Sequence, residues 1–338
     1  MIRNRFLALA VIALALLTGC GRSNTTNAPA PPEAPATTAS GGLFKVALLT
    51  TGPVDDGGWN ESAYNGLLRI QKDRGASIAK EENLKDSQFV EAFQDFANRG
   101  YDLIIGHGDE FGDAAAKVAA QYPNVDFVTT GGDKSGPNLT PIHFATEEGN
   151  YLQGMEAAFI SKTGKGAFIG GMELPPVKIA ADAFRKGALA VNPKFVYVTT
   201  YINTWNDPAA AKTQTLTLLS NGCDVLSHNC DAAAKGMFDT AGTKAGVYTF
   251  GVNANENNKA PNVFSSAVLD IPKAFDDIAG LVKAKTFKGG PISLGMKDGD
   301  VTLVDNPTFA SVITPAERAK IDAAKQDIIA GKIRLWTE

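Results

Sequence analysis

Residues 44–66 read FKVALLTTGPVDDGGWNESAYNG. The first seven form an apolar run of strand length, and a helical pattern begins near residue 60. Between them lie two acids, two glycines, a tryptophan and an asparagine. Gly57 and Gly58 permit a tight turn and a close backbone approach. Trp59, a bulky apolar side chain at the mouth of a helix, is thereby positioned to touch something other than the core.

The same strand–turn–helix unit recurs along the chain. FKVALLT, DLIIGHG, DFVTTGG, KGAFIGG, VYVTTYI, VLSHN, VYTFGVN and VFSSAV are runs of strand length. Helical patterns lie between them near 60–74, 87–99, 112–121, 149–162, 176–191, 207–221, 232–241 and 272–286. Strands alternating with helices imply an α/β fold with parallel sheets covered on both faces. Most strands are followed by turn-rich loops with polar and aromatic residues: TTGPVDDGGW, GHGDEFG, TTGGDKSGPN, YINTWNDP, SHNCDA and GVNANENN. In doubly wound sheets the carboxyl ends of the strands are where ligands bind. So many such loops predict a cleft between two facing lobes. ISLGMKDG and VTLVDNPTF read as late strands returning between them.

The N-terminus has a different character. Arg3 and Arg5 precede the apolar run LALAVIALALL, the layout of a secretory signal. The run ends in Leu17-Thr18-Gly19-Cys20, which matches the bacterial lipobox, so residues 1–19 are expected to be a signal peptide and Cys20 the lipidated residue. Residues 20–42 carry no aliphatic side chain larger than alanine and are expected to form a disordered tether. The predicted location is the cell envelope, lipid-anchored to a bacterial membrane and facing outward. Loss of Arg3 and Arg5 with the leader shifts the formal net charge from −4 to −6, which argues against a nucleic-acid partner.

Beyond Cys20 the only cysteines are Cys223 and Cys230. The strand-like VLS between them would hold them about 23 Å apart if extended, whereas a disulfide needs Cα atoms within roughly 7 Å. Two free, buried thiols are expected. His107, His143 and His228 show no zinc spacing. GHGDEFG, GGDKSG and SKTGKG only echo dinucleotide and phosphate loops, and no GxSxG elbow or nucleophile–base pair appears. A non-enzymatic protein without cofactor or metal is expected.

DDGGWN (55–60), GDEF (108–111), EEGNYLQGMEAAFISKTGKGAFIGG (147–171), NTWNDP (203–208), NGCDVL (221–226) and GVNANEN (251–257) together resemble the basic-membrane-protein family of substrate-binding lipoproteins. Its better-known members resemble purine-nucleoside-binding components of ABC importers. The resemblance covers about residues 44–305 and implies a type I periplasmic-binding-protein fold: two doubly wound α/β lobes joined by three crossings. On this reading, residues 43–145 plus 267–299 form lobe 1 and 146–266 plus 300–338 form lobe 2, with hinges near 144–148, 264–268 and 298–302. It further implies a monomer with a small purine-type ligand, partnered by ABC permease and ATPase subunits.

Carried over by position, Trp59 and Trp205 would sandwich the purine, beside Asp56, Asn60 and Asp207. Stacking suits a purine face, at roughly 1–3 kcal/mol per base. Asp109 and Phe111 are further candidates, although an acid at a helix start is also ordinary dipole compensation and Phe111 equally fits packing. Asp231 is either a contact or an N-cap for AAAKGMF. The family places aspartate where this chain has Asn253 and Asn255, and often lysine where it has Leu269. Leu269 would leave a ribose hydroxyl unmatched, so a preference for a free purine base over the ribonucleoside is predicted; the alternative is that Asn253, Asn255 and waters supply the sugar contacts, with Leu269 pointing into the core. Two alternatives stay open: the same fold binding a sugar or other polar ligand, and a surface sensor without a transporter.

Overall fold

Apolar β-branched strands buried on both faces need helices on each side, and the chain supplies them in two parallel-stranded layers. The structure, a computed structural model, describes residues 42–335. The predicted signal peptide, Cys20 and nearly all of the predicted tether lie outside these residues.

The first sheet contains β1 (Lys45–Thr50), β2 (Ser77–Glu81), β3 (Leu103–His107), β4 (Asp126–Thr130), β5 (Leu139–Phe144) and, from much later in the chain, β11 (Ile292–Leu294). Its order is β11-β5-β4-β3-β1-β2, parallel throughout. The second contains β6 (Lys165–Gly170), β7 (Val196–Tyr201), β8 (Val225–Asn229), β9 (Tyr248–Asn253), β10 (Val263–Leu269) and β12 (Val301–Asp305). Its order is β12-β10-β9-β8-β6-β7, with only β12 antiparallel. In each sheet the strand order reverses beside the first strand, β1 or β6, which is the switch point where open α/β sheets bind ligands.

The helices are α1 (Trp59–Arg74), α2 (Phe89–Asn98), α3 (Gly112–Ala119), α4 (Thr146–Ile160), α5 (Pro175–Val191), α6 (Pro208–Ser220), α7 (Ala234–Ala241), α8 (Ile271–Lys283) and α9 (Pro315–Ile329). Helix α8 packs on α1, so it belongs to the first lobe although it follows β10. Arg74 at the end of α1 makes two hydrogen bonds to Asp276 of α8, at 2.8 and 2.7 Å. The chain thus passes between the lobes three times: β5 to α4, β10 to α8, and β11 to β12. Because β10 stays in the second sheet as far as Leu269, the middle crossing falls at Asp270, later than the 264–268 expected.

The EEGNYLQGMEAAF stretch is α4, and its glycines have a packing reason. A Cβ on Gly154 would lie 2.0 Å from the Phe184 carbonyl oxygen of α5, and one on Gly187 of α5 would lie 1.9 Å from that of Tyr151. The two helices cross almost backbone to backbone. Helix α4 also carries a buried carboxyl, Glu156, which accepts from Ser265 Oγ (2.5 Å) and from Arg318 of α9 (3.1 Å). Desolvation outweighs the arginine and pushes Glu156 up to about 8. Cys223 and Cys230 are both free and buried.

Three elements differ from the sequence reading. β2 (SIAKE) is largely polar, and β5 contains Pro141, which argues against an internal strand. β11 pairs only Ile142 to Phe144, so β5 is effectively an edge at the proline. Helix α9 buries just Ile321, Ala324 and Ile328, too thin a stripe to stand out.

Candidate functional site

The Asp56 carboxylate shapes the turn after β1. It accepts N–H bonds from Gly58, Asn60 and Glu61 at 2.9, 2.9 and 3.0 Å, and one from Asn60 Nδ2 at 2.8 Å. Asp56 is therefore the anion at the N-terminus of α1, fully engaged in holding the turn. That bond also sets the Asn60 amide: with Nδ2 donating to Asp56, the buried Oδ1 is left with no donor.

Trp59 opens α1 with its ring partly exposed. One face stacks on His107 at the end of β3, with centroids 4.1 Å apart and planes 24° from parallel. His107 is fully buried; Nε2 lies 3.1 Å from the Trp59 carbonyl oxygen and Nδ1 lies 3.0 Å from Thr130 Oγ1. Burial pulls its pKa down to about 3, so it is a neutral, fixed shelf for the tryptophan. Sequence reasoning saw this histidine only as a failed zinc ligand.

Trp205 lies in the loop after β7, also partly exposed. It packs with Leu174 and Tyr201 over a small cluster of Phe168, Val177, Ala180 and Ala181. Its seat is Gly171: a Cβ there would lie 2.3 Å from the Trp205 ring, just as one on Gly170 would lie 2.6 Å from the Tyr201 ring. The glycine pair closing KGAFIGG exists to admit two aromatic rings.

The carboxyl ends of the two sheets face each other, as two bonds between lobes demonstrate. The Trp59 N–H donates to Asp231 Oδ1 at 3.4 Å, and Lys259 Nζ donates to the Gly57 carbonyl at 3.5 Å. Two residues beyond Asp231, the Ala233 N–H donates to the Trp205 carbonyl at 2.8 Å. The loop after β8 therefore joins the two tryptophan-bearing segments. Asp231 is not an N-cap: its side chain reaches across the cleft.

Acids dominate this region. Burial and the facing Asp56 push Asp231 up to about 7. Glu110, exposed beside Asp109, accepts from Thr51 Oγ1 at 3.1 Å. Behind Asp231, buried Glu256 accepts from the Val252 N–H at 3.0 Å and pairs with His228 Nε2 at 2.8 Å.

Other expected site residues lie elsewhere. Phe111 is fully buried, its ring 4.1 Å from Phe89 and edge-on to Phe93; it packs the first lobe and leaves no surface for a ligand. Asp207 is the exposed N-cap of α6, accepting from Ala209 and Ala210. Asp109 starts the turn after β3, against Gly131. Asn253 ends β9 nearly buried, with φ 65°. Asn255 is exposed and accepts from the Asn257 N–H. Leu269 is buried in the main core and pairs with Val301 in the sheet. It does not face a sugar, so the predicted preference for free bases loses its premise.

Residues 43–335 match the family described as ABC transporter substrate-binding protein, PnrA-like. The chain belongs to this family. Similar proteins include basic membrane protein A of Borreliella burgdorferi, 30% identical and covering 79% of this chain and 81% of its own. A purine-binding protein of Brucella abortus is 27% identical over 86% of this chain and 84% of its own. The transcriptional activator protein Med of Bacillus subtilis is 28% identical over 89% of each. Among solved structures, an ABC transporter solute-binding protein of Aeropyrum pernix superposes with a TM-score of 0.79 at 22% identity, covering 86% of this chain and 92% of its own. The fold is that of the type I solute-binding proteins. Substrate-binding proteins of this family act outside the cytoplasm with a small-molecule ligand and permease and ATPase partners. Among the described residues no helix is long and apolar enough to cross a membrane.

Proposed function

We propose that this protein captures a purine-type ligand, base or nucleoside, between Trp59 and Trp205 and delivers it to an ABC permease while anchored through a lipid on Cys20. The observation that carries the reading is the pairing of two partly exposed tryptophans on opposite lobes. Each is backed by a built seat, and the Asp231–Ala233 segment ties them together. A stack on each lobe rewards closure with about 1–3 kcal/mol per ring. The purine-binding relative supports the ligand class. Closure works through the three crossings, as a hinge between lobes, and the protein acts as a monomer.

Denaturing the purified protein and identifying the released molecule by mass spectrometry tests the ligand class; a sugar in place of a purine refutes it. Trp59→Ala and Trp205→Ala should each weaken purine binding by about 1–3 kcal/mol in calorimetry, with the fold retained. Small-angle scattering should show compaction on binding. A second reading, ligand sensing without transport, is favoured by the relative named as a transcriptional activator. Co-purification of a permease with the lipidated protein separates the two.

A further inference from the structure

The carboxylates around the cleft differ in how well they are satisfied. Asp56 holds four N–H groups, Asp207 two, and Glu256 one plus His228. Asp231, in contrast, has a single long bond from the Trp59 N–H at 3.4 Å. Its position is nonetheless closely built. The residue takes a left-handed backbone, φ 50°, at an energetic cost that such sites tend to carry for a function. The absence of a side chain at Gly58 leaves its room, since a Cβ there would lie 2.8 Å from Asp231 Oδ1.

We propose that Asp231 is the specificity-determining residue of the cleft: its carboxylate accepts an N–H from the edge of the planar ligand, in place of the Trp59 N–H. This rests on the purine reading above. It names the ligand class as neutral bases or nucleosides that present an exocyclic amine or ring N–H toward the loop after β8. The groups facing Asp231 are Asp56 on the β1–α1 turn, Glu256 and Lys259 on the loop after β9, and His228 and Cys230 on and after β8. Lys259 is directed to the Gly57 carbonyl and His228 to Glu256. The surroundings thus supply acids and little compensation, so a donor on the ligand is the missing partner. Such a donor stabilises the ionised carboxyl, so binding below about pH 7 releases a proton. Affinity then rises with pH toward 7 and levels off above it.

The test is calorimetry on the whole folded protein between pH 5.5 and 8.5. The probes are adenine with N6,N6-dimethyladenine, and hypoxanthine with 1-methylhypoxanthine. For at least one pair the parent base should bind tenfold or more tighter than its methylated form. Its affinity should gain up to about tenfold per pH unit below 7. Asp231→Asn should flatten the pH profile and shrink the discrimination. A flat wild-type profile overturns the proposal without recourse to any variant, as does a variant that keeps both slope and discrimination. If the wild type binds no purine at any pH, the purine reading itself falls and this inference with it.

Discussion

Replacing Gly171 by alanine should weaken ligand binding without touching the ligand. The new Cβ would lie 2.3 and 2.5 Å from two carbons of the Trp205 ring, whereas carbon atoms rest at about 3.5–4.0 Å. The ring must therefore retreat by about 1.2 Å or more. The ring also packs on the cluster of Phe168, Val177, Ala180 and Ala181, so it cannot retreat freely within its own lobe. A gap of about 1 Å forfeits a quarter to a half of a contact's dispersion energy. Applied to a stack worth roughly 1–3 kcal/mol, the loss is about 0.3–1.5 kcal/mol, or roughly a two- to tenfold rise in Kd. Titration calorimetry of wild type, Gly171→Ala and Trp205→Ala with one purine ligand measures this directly, and tryptophan fluorescence reports the ring's displacement. Gly171→Ala should fall between the other two. Unchanged affinity in Gly171→Ala beside a weakened Trp205→Ala would refute the idea that the glycine sets the ring's position.

Gly154→Ala should destabilise the fold by about 1–3 kcal/mol or more, since its Cβ would press on the Phe184 carbonyl; urea unfolding measures it. His107 is held near 3 in the folded protein against about 6.5 when unfolded, so the unfolded chain binds the extra proton. The stability this group contributes is present above about pH 6.5 and is lost toward pH 3; His107→Gln should show a shallower loss on acidification, and an unchanged pH profile refutes this. Glu156 behaves oppositely. With a folded pKa near 8 against about 4.3 unfolded, its contribution is intact below that value and is lost as pH rises through 8. Glu156→Gln should lose less stability than wild type between pH 5 and 8.5 in thermal melts.

Alternating apolar runs and helical periods are local properties, so two parallel α/β layers were legible before any contact was known. β5 and α9 were not legible, for identifiable reasons. Pro141 is tolerated because β11 is three residues long, a fact of topology rather than of local sequence. Helix α9 shows a weak apolar stripe, although Thr314 and Glu317 form a capping box that a closer reading would have caught. The first strand–turn–helix unit was readable because a glycine pair between an apolar run and a helical pattern has few other uses. The roles of the acids were not. Asp56, Asp207 and Asp231 all precede helices in sequence, yet two cap their own helices and one crosses to the other lobe. Phe111 and Leu269 carry the same lesson: which face a side chain takes at a strand end depends on pairing partners far away in the chain.

The helix pair α1 and α8 also sets a timetable for synthesis. Leu67 and Ile70 of α1 are fully buried, and part of their cover is α8, whose Asp276 follows Arg74 by 202 residues. At about 5–20 residues per second on the ribosome, roughly 10–40 s separate the emergence of the two. Throughout that interval the first lobe exists as a sheet with one apolar flank open, and it is finished only after the second lobe's main strands have emerged. A nascent chain stalled before residue 271 should accordingly be a good client for chaperones, while the completed chain should not.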